Sequence, residues 1–244
     1  MAASLEGQTA LVTGAGRGIG RGCAEALAGE GARVFAVARS ETDLAELALH
    51  PSGLIEAWPA DVTDEEFYAR VEATDGLDIL VNNAGGNRPQ AFADVDSESL
   101  DFVLALNVRA AFRVSQAAVR SMLRHGGGGT VVHMSSQMGH VGSPLRSVYC
   151  MSKHAIEGLT KAMAVELAPE GIRVNSVAPT FVETPLTRPM LDDPKFREFV
   201  LGMIPAARLA EIGDIVAAVL YLVSPGARMV TGHSLRVDGG WTAH

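Results

Sequence analysis

Tyr149 and Lys153 stand four residues apart in the segment Ser147-Val148-Tyr149-Cys150-Met151-Ser152-Lys153. That spacing puts both on one face of a helix. An ammonium beside a phenol favours the phenolate and draws its pKa from about 10 toward neutrality. Such a tyrosine can give a proton to a carbonyl under reduction, or take one from a hydroxyl under oxidation. Ser136 follows an apolar run and can bond the same substrate oxygen. Asn107 is a polar residue inside the largely apolar stretch Phe102–Phe112. Gln137, His140, Arg146 and Glu183 flank these segments and are candidate substrate contacts.

A second constellation lies near the N-terminus, in Thr13-Gly14-Ala15-Gly16-Arg17-Gly18-Ile19-Gly20. Gly14, Gly18 and Gly20, with Arg17 and Ile19 between them, let a backbone turn tightly and approach a pyrophosphate at a helix N-terminus. The spacing is G-x-x-x-G-x-G rather than G-x-G-x-x-G. The next apolar run ends at Ala38-Arg39, where a carboxylate would hold the ribose hydroxyls of NAD. A guanidinium there, joined by Arg17, can instead make charge-assisted bonds to a 2′-phosphate. The expected cofactor is NADP(H), with NAD(H) possible. Asp61 and Val62, and Asn83, Ala84 and Gly85, close two further runs. There they can meet adenine or ribose, or form turns of their own.

Strand-like and helix-like segments must position these residues. Thr9–Thr13, Arg33–Ala38, Leu54–Ala60, Asp78–Asn82, Thr130–Ser135 and Ile172–Ala178 read as short buried strands, with Ser234–Val237 as a seventh. Their continuous apolar character suits a parallel sheet covered on both faces. Ile19–Gly29, Thr42–Leu49, Asp64–Thr74, Ser97–Arg124, Val148–Ala168 and Ile212–Leu222 read as helices, with Asp64 and Ser97 as N-caps. The alternation predicts one α/β domain over residues 1–244: a Rossmann-like, doubly wound parallel sheet of about seven strands. The stretch Pro179–Pro205 is long for a connection and reads as a substrate lid with short helices of its own.

Composition narrows the function classes. At 48% hydrophobic and 20% charged, the chain is not of disordered type. A net charge of −8 argues against a nucleic-acid partner. The start lacks a basic, apolar leader, and the late run Ile215–Val223 is too short to span a bilayer. Two cysteines outside any CxxC pair suit a reducing compartment, so a cytoplasmic protein is expected. The seven histidines suggest no metal site.

Taken together, TGAGRGIG, DV, NNAG, the Asn of LNV, SSQ, YCMSK and PTFVET resemble the short-chain dehydrogenase/reductase superfamily over nearly the whole chain. The resemblance implies Tyr149 as acid/base, with Lys153 also on the nicotinamide ribose and Ser136 polarising the substrate. It further implies Asn107 holding a water in a relay to Lys153, with Val182 and Thr184 meeting the nicotinamide carboxamide. One departure is Pro179-Thr180, where the family often has Pro-Gly. GRGIGRG, SSQ and SVYC resemble dicarbonyl/L-xylulose reductases, whereas TFVETPLT and VTGHSLRVDGGWTAH resemble bacterial sugar and polyol dehydrogenases. The implied substrate is a small sugar, polyol or dicarbonyl, and the implied assembly a homotetramer or homodimer. Two alternatives are a same-fold reductase of 3-oxoacyl or steroid ketones and a non-catalytic NADP(H)-sensing protein.

Overall fold

Aliphatic runs bounded by glycines and polar turns fold as β1 (Thr9–Thr13), β2 (Arg33–Ala38), β3 (Ile55–Pro59), β4 (Ile79–Asn82), β5 (Gly129–Met134), β6 (Ile172–Pro179) and β7 (Ser234–Val237). A computed structural model describes residues 4–185 and 187–243. Leu186, inside the expected lid, lies outside the described residues, as do the first three residues and His244. The strands form one sheet in the order β3-β2-β1-β4-β5-β6-β7, with every pairing parallel. Strand order reverses between β1 and β4, which opens a crevice beyond the carboxyl ends of the strands at that point.

Successive residues of a strand point to opposite faces, so each strand feeds two cores. Ala10, Val12, Val34 and Ala36 pack with α1 (Gly18–Gly29), α2 (Glu41–Leu47) and α9 (Ile212–Val223) through Leu27, Leu44, Ile215 and Leu222. Leu11, Phe35 and Val37 pack on the other face with α3 (Glu65–Ala73), α5 (Ala111–His125) and α6 (Ser147–Leu167) through Val71, Val114 and Leu167. Helices on both faces of a parallel sheet are the architecture that the unalternating apolar runs require. The fold is the expected Rossmann-like, doubly wound one.

The segment expected as a single helix from Ser97 is built in three pieces. α4 (Ser97–Leu104) leads into a π-helical turn, Ala105–Ala110, and then into α5. Its N-cap is Asp96, whose carboxylate accepts from the Ser99 N–H at 2.7 Å, not Ser97. Asp64 does occupy the N-cap position of α3, although its side chain makes no capping bond there. By length and composition Ser97–His125 is apolar enough to cross a membrane. Its apolar face, with Val114, Ala118 and Met122, is buried in the second core.

The Pro179–Pro205 connection does carry short helices, α7 (Arg188–Leu191) and α8 (Pro194–Met203). They close a third apolar cluster with Met138, Cys150, Phe181 and Trp241, in which the Phe181 and Trp241 rings lie 5.8 Å apart. Cys150 thus faces packing neighbours.

Candidate active site

At the end of β1, Gly14 (φ +67°) and Gly18 (φ +59°) turn the chain into α1. A Cβ on Gly20 would collide with the Gly14 carbonyl and come within 2.5 Å of Asn83 Nδ2. The turn is therefore walled by backbone, in a cradle that side chains would fill. Arg17, the N-cap of α1, makes no side-chain capping bond, so the first-turn N–H groups point outward as anion donors.

Asn83 braces this cradle. Its amide donates to the carbonyls of Thr13 at 2.9 Å and Gly14 at 3.3 Å. In return, Thr13 Oγ1 accepts from the N–H groups of Asn83 and Ala84 at 2.9 and 3.0 Å. Thr13 is fully buried, a site-building residue the sequence reading missed. Its one signal was a hydroxyl at the tip of an otherwise aliphatic strand. Asp61 forms the turn of its own that the sequence left open, accepting from the Thr63 N–H and hydroxyl at 2.9 and 2.7 Å. Val62 is buried in the second core.

Arg17 and Arg39 both lie exposed near the carboxyl ends of β1 and β2, but each has an acidic neighbour. Arg17 pairs with Asp43 at 3.1 Å, and Arg39 approaches Asp61 at 4.0 Å. Asp43 was absent from the sequence reading. It flanks Gly16, whose Cβ would meet the Asp43 side chain at 3.2 Å.

The catalytic candidates come from three elements. Ser136 follows β5 and caps a 3-10 turn over Gln137–Gly139, accepting from the Met138 N–H at 3.1 Å and donating to Gln137 Oε1 at 3.1 Å. Tyr149 and Lys153 share a face of α6, with the Lys153 nitrogen 5.5 Å from the Tyr149 ring centre. The lysine is buried and donates to the Met134 carbonyl at 2.8 Å. Burial lowers its pKa to about 8, against the opposing pull of Glu157 one turn on.

Tyr149 departs from expectation. Burial raises its phenol above the ordinary value, with Ser136 and Arg146 opposing the rise. The expected lowering by Lys153 does not occur: Ser136 and Arg146 are the groups that oppose the rise, and desolvation of a buried phenolate is the larger effect. A protonated phenol is thus the resting form at neutral pH.

Asn107 lies in the π-helical turn, buried at 2% exposure. Its Oδ1 accepts from the Gly86 N–H at 2.8 Å, and its Nδ2 donates to the Gly86 carbonyl at 2.9 Å and to Ser152 Oγ at 3.0 Å. It pins the loop after β4 onto α6, immediately beside Lys153. A Cβ on Gly85 would lie 3.2 Å from Asn107 Oδ1 and 3.7 Å from Lys153 Nζ.

A cavity of about 290 Å³ joins the two constellations. Its walls include Ile19, Asn83 and Gly85 on the cradle side and Ser136, Tyr149 and Lys153 on the other, with Val182 and Thr184 from the Pro179–Pro205 connection. Residues 14–242 match the family model described as "Enoyl-(Acyl carrier protein) reductase". The chain is 43% identical to the L-xylulose reductase of Bos taurus over 242 residues, covering 98% of each protein. Among solved structures, a short-chain type dehydrogenase/reductase from Mycobacterium marinum superposes with a TM-score of 0.91 at 36% identity, covering 99% of this chain and 98% of that one. The chain belongs to the short-chain dehydrogenase/reductase family. It is similar too to a gluconate 5-dehydrogenase from Burkholderia cenocepacia J2315 in complex with NADP and tartrate, with a TM-score of 0.92 at 33% identity and coverage of 98% and 97%.

As a short-chain dehydrogenase/reductase the chain is an oxidoreductase, and the Pro179–Pro205 connection adds Thr180, Thr184 and Thr187 to the cavity wall. Thr184 Oγ1 lies 3.1 Å from Thr187 Oγ1. A Cβ on Gly18 would meet the Thr184 side chain at 3.6 Å, so the Pro179–Pro205 connection and the glycine turn abut. Val182 pairs with Ala210 in an isolated parallel bridge. Thr180, standing where the family often has glycine, puts a hydroxyl with no hydrogen-bond partner among the described residues onto the cavity wall. The cradle and this orphaned hydroxyl suit a dinucleotide with a carboxamide end.

Of the candidate substrate contacts, Gln137 and Arg146 line the cavity. His140 is not among the residues that line it: its Nε2 lies 2.9 Å from Ser234 Oγ and 3.4 Å from Glu157 Oε1. Glu157 also accepts from Ser176 and Ser234 at 2.9 and 3.0 Å. This polar knot ties α6 to β6 and β7 and draws the imidazole away from the cavity.

Proposed function

We propose that this chain interconverts a ketone or aldehyde and an alcohol on a small sugar, polyol or dicarbonyl, with NADP(H) as hydride partner. The observation that carries the reading is the shared cavity, in which Ser136 and Tyr149 face the glycine cradle and the lid threonine. Gly14, Gly18 and Gly20 leave room for the pyrophosphate, Lys153 is placed for the nicotinamide ribose, and Thr184 and the Val182 backbone for the carboxamide. Arg17 and Arg39 would exchange their carboxylate neighbours for a 2′-phosphate, a dianion with stronger charge-assisted bonding. NADPH, when bound, supplies the hydride, and NADP⁺ accepts it in reverse.

Tyr149 gives its proton to the substrate oxygen as that oxygen becomes an alkoxide. Burial keeps the phenol protonated until then. Ser136 donates to the same oxygen. Lys153, still largely cationic at pH 7, stabilises the phenolate left behind, and Asn107 holds the Gly86 loop beside it. General acid catalysis of this kind contributes roughly 10²–10⁴-fold. Met138, Phe181 and Met190 add apolar surface to the wall around that oxygen. The assembly is inferred to be a homodimer or homotetramer, a reading supported by exposed Tyr221 on α9 and Met229 before β7, and sedimentation would measure it.

The test is NADPH oxidation with a panel of ketoses, diketones, a 3-oxoacyl thioester and a steroid ketone. Turnover is expected with the small polar ketones. Turnover confined to the thioester or the steroid would replace this reading with the larger-substrate one, and tight NADPH binding without turnover of any would indicate a cofactor sensor.

A further inference from the structure

Arg146 is the least satisfied charge in the cavity. Only 9% of the residue is exposed. Its Nη2 donates to the Met190 thioether at 3.2 Å, and its guanidinium lies 5.9 Å from the Phe181 ring centre. Neither is an anion, and a thioether is a weak acceptor. Among the described residues no carboxylate pairs with it. Buried guanidinium groups are otherwise paired, because desolvating the charge is costly.

Among the described residues that line the cavity, two are charged, Arg146 and Lys153, and none is a carboxylate. Lys153 is engaged with the Met134 carbonyl and has Glu157 behind it. Arg146 has no such counterweight. It stands at the N-cap of the 21-residue helix α6, where the helix dipole adds to the positive potential. Leu145 precedes it at φ +61°, a conformation uncommon for a non-glycine residue. The Leu145 carbonyl accepts from the Gln90 N–H at 3.0 Å, which fixes the backbone direction from which Arg146 enters. Tyr149 follows three residues later, so an anion on the guanidinium lies close to the proton donor.

We propose that Arg146 is the anchor for a carboxylate on the substrate, which makes small sugar-type keto and hydroxy acids, rather than uncharged ketoses, the preferred substrates. This rests on the oxidoreductase reading above and names its substrate class. The planar fork of donors matches a carboxylate in a bidentate pair. Substrate binding then satisfies a group for which the described residues supply no anion, so affinity and selection arise from one contact.

The test compares NADPH oxidation with 5-ketogluconate and with L-xylulose in the wild type, Arg146→Met and Arg146→Lys. In the wild type, kcat/KM for the acid is expected to exceed that for the ketose by about tenfold or more. That ratio is expected to fall about 100-fold in Arg146→Met, chiefly through KM for the acid, and to recover only in part in Arg146→Lys, which restores the charge without the planar fork. No preference for the acid in the wild type, or equal losses on both substrates in Arg146→Met, would overturn the assignment. Thermal stabilisation by tartrate and by uncharged threitol supplies a readout without turnover. Stabilisation by tartrate that depends on Arg146, with no ketone turned over, would sink the proposed reaction and keep the anion site. Ketone turnover with tartrate and threitol equally weak would sink the anion site alone.

Discussion

The Lys153 ammonium donates to the Met134 carbonyl at 2.8 Å from a position that is only 5% exposed. That burial disfavours the charge and lowers the pKa from 10.5 to about 8. Below pH 8 folded and unfolded chains both hold the proton; between 8 and 10.5 only the unfolded chain does. Stability therefore rises with pH across that window, and the charged lysine costs the fold about 3 kcal/mol at pH 7. Lys153→Met removes this cost and loses a hydrogen bond worth about 1 kcal/mol. The variant should be more stable by about 2 kcal/mol at pH 7, inactive, and without its advantage at pH 10.5. Urea unfolding at the two pH values measures this; a variant less stable at pH 7 would contradict it.

Tyr149→Phe keeps the ring in its place and removes the proton. Turnover should fall about 10³-fold, while the NADPH dissociation constant, measured by fluorescence quenching, changes less than about threefold. Equal losses in both would mean the phenol acts in binding rather than in proton transfer.

Arg39→Asp places a carboxylate beside Asp61, where a guanidinium lies 4.0 Å away in the native chain. The ratio of kcat/KM with NADPH to that with NADH should drop about 10²-fold, since a two-bond charge-assisted contact becomes a repulsion. An unchanged ratio would remove Arg39 from the cofactor site.

Gly20→Ala drives a methyl into the Gly14 carbonyl and to 2.5 Å from Asn83 Nδ2. Neither neighbour can yield, because Asn83 is bonded to Thr13 and Gly14 in turn. A loss of about 3 kcal/mol is expected, with NADPH binding abolished. Chemical denaturation and a binding titration would show it; a variant of native stability would mean the turn is looser than described.

Much of this site was legible beforehand because its parts are local patterns. The glycine turn, the tyrosine–lysine face and the unalternating strands each announce themselves within a few residues. Three of the features that were not show why. Asp96 and Ser97 are adjacent residues of equal capping ability, and only the backbone path chooses Asp96. Glu157 meets His140 and Ser234 across segments whose spacing carries no sequence signal. The direction of the Tyr149 shift depends on burial, which a four-residue spacing does not encode.

The wide turn at Ala105–Ala110 has a further consequence. A π turn holds one residue more than the α-helix on either side. Deleting one residue there would regularise the helix ladder, and its packing could survive. Residues within the turn would move by one position, about 100° around the axis, carrying Asn107 off Gly86 and Ser152. The chain thus carries a small frameshift in its helical phase, kept where a better helix would make a poorer enzyme.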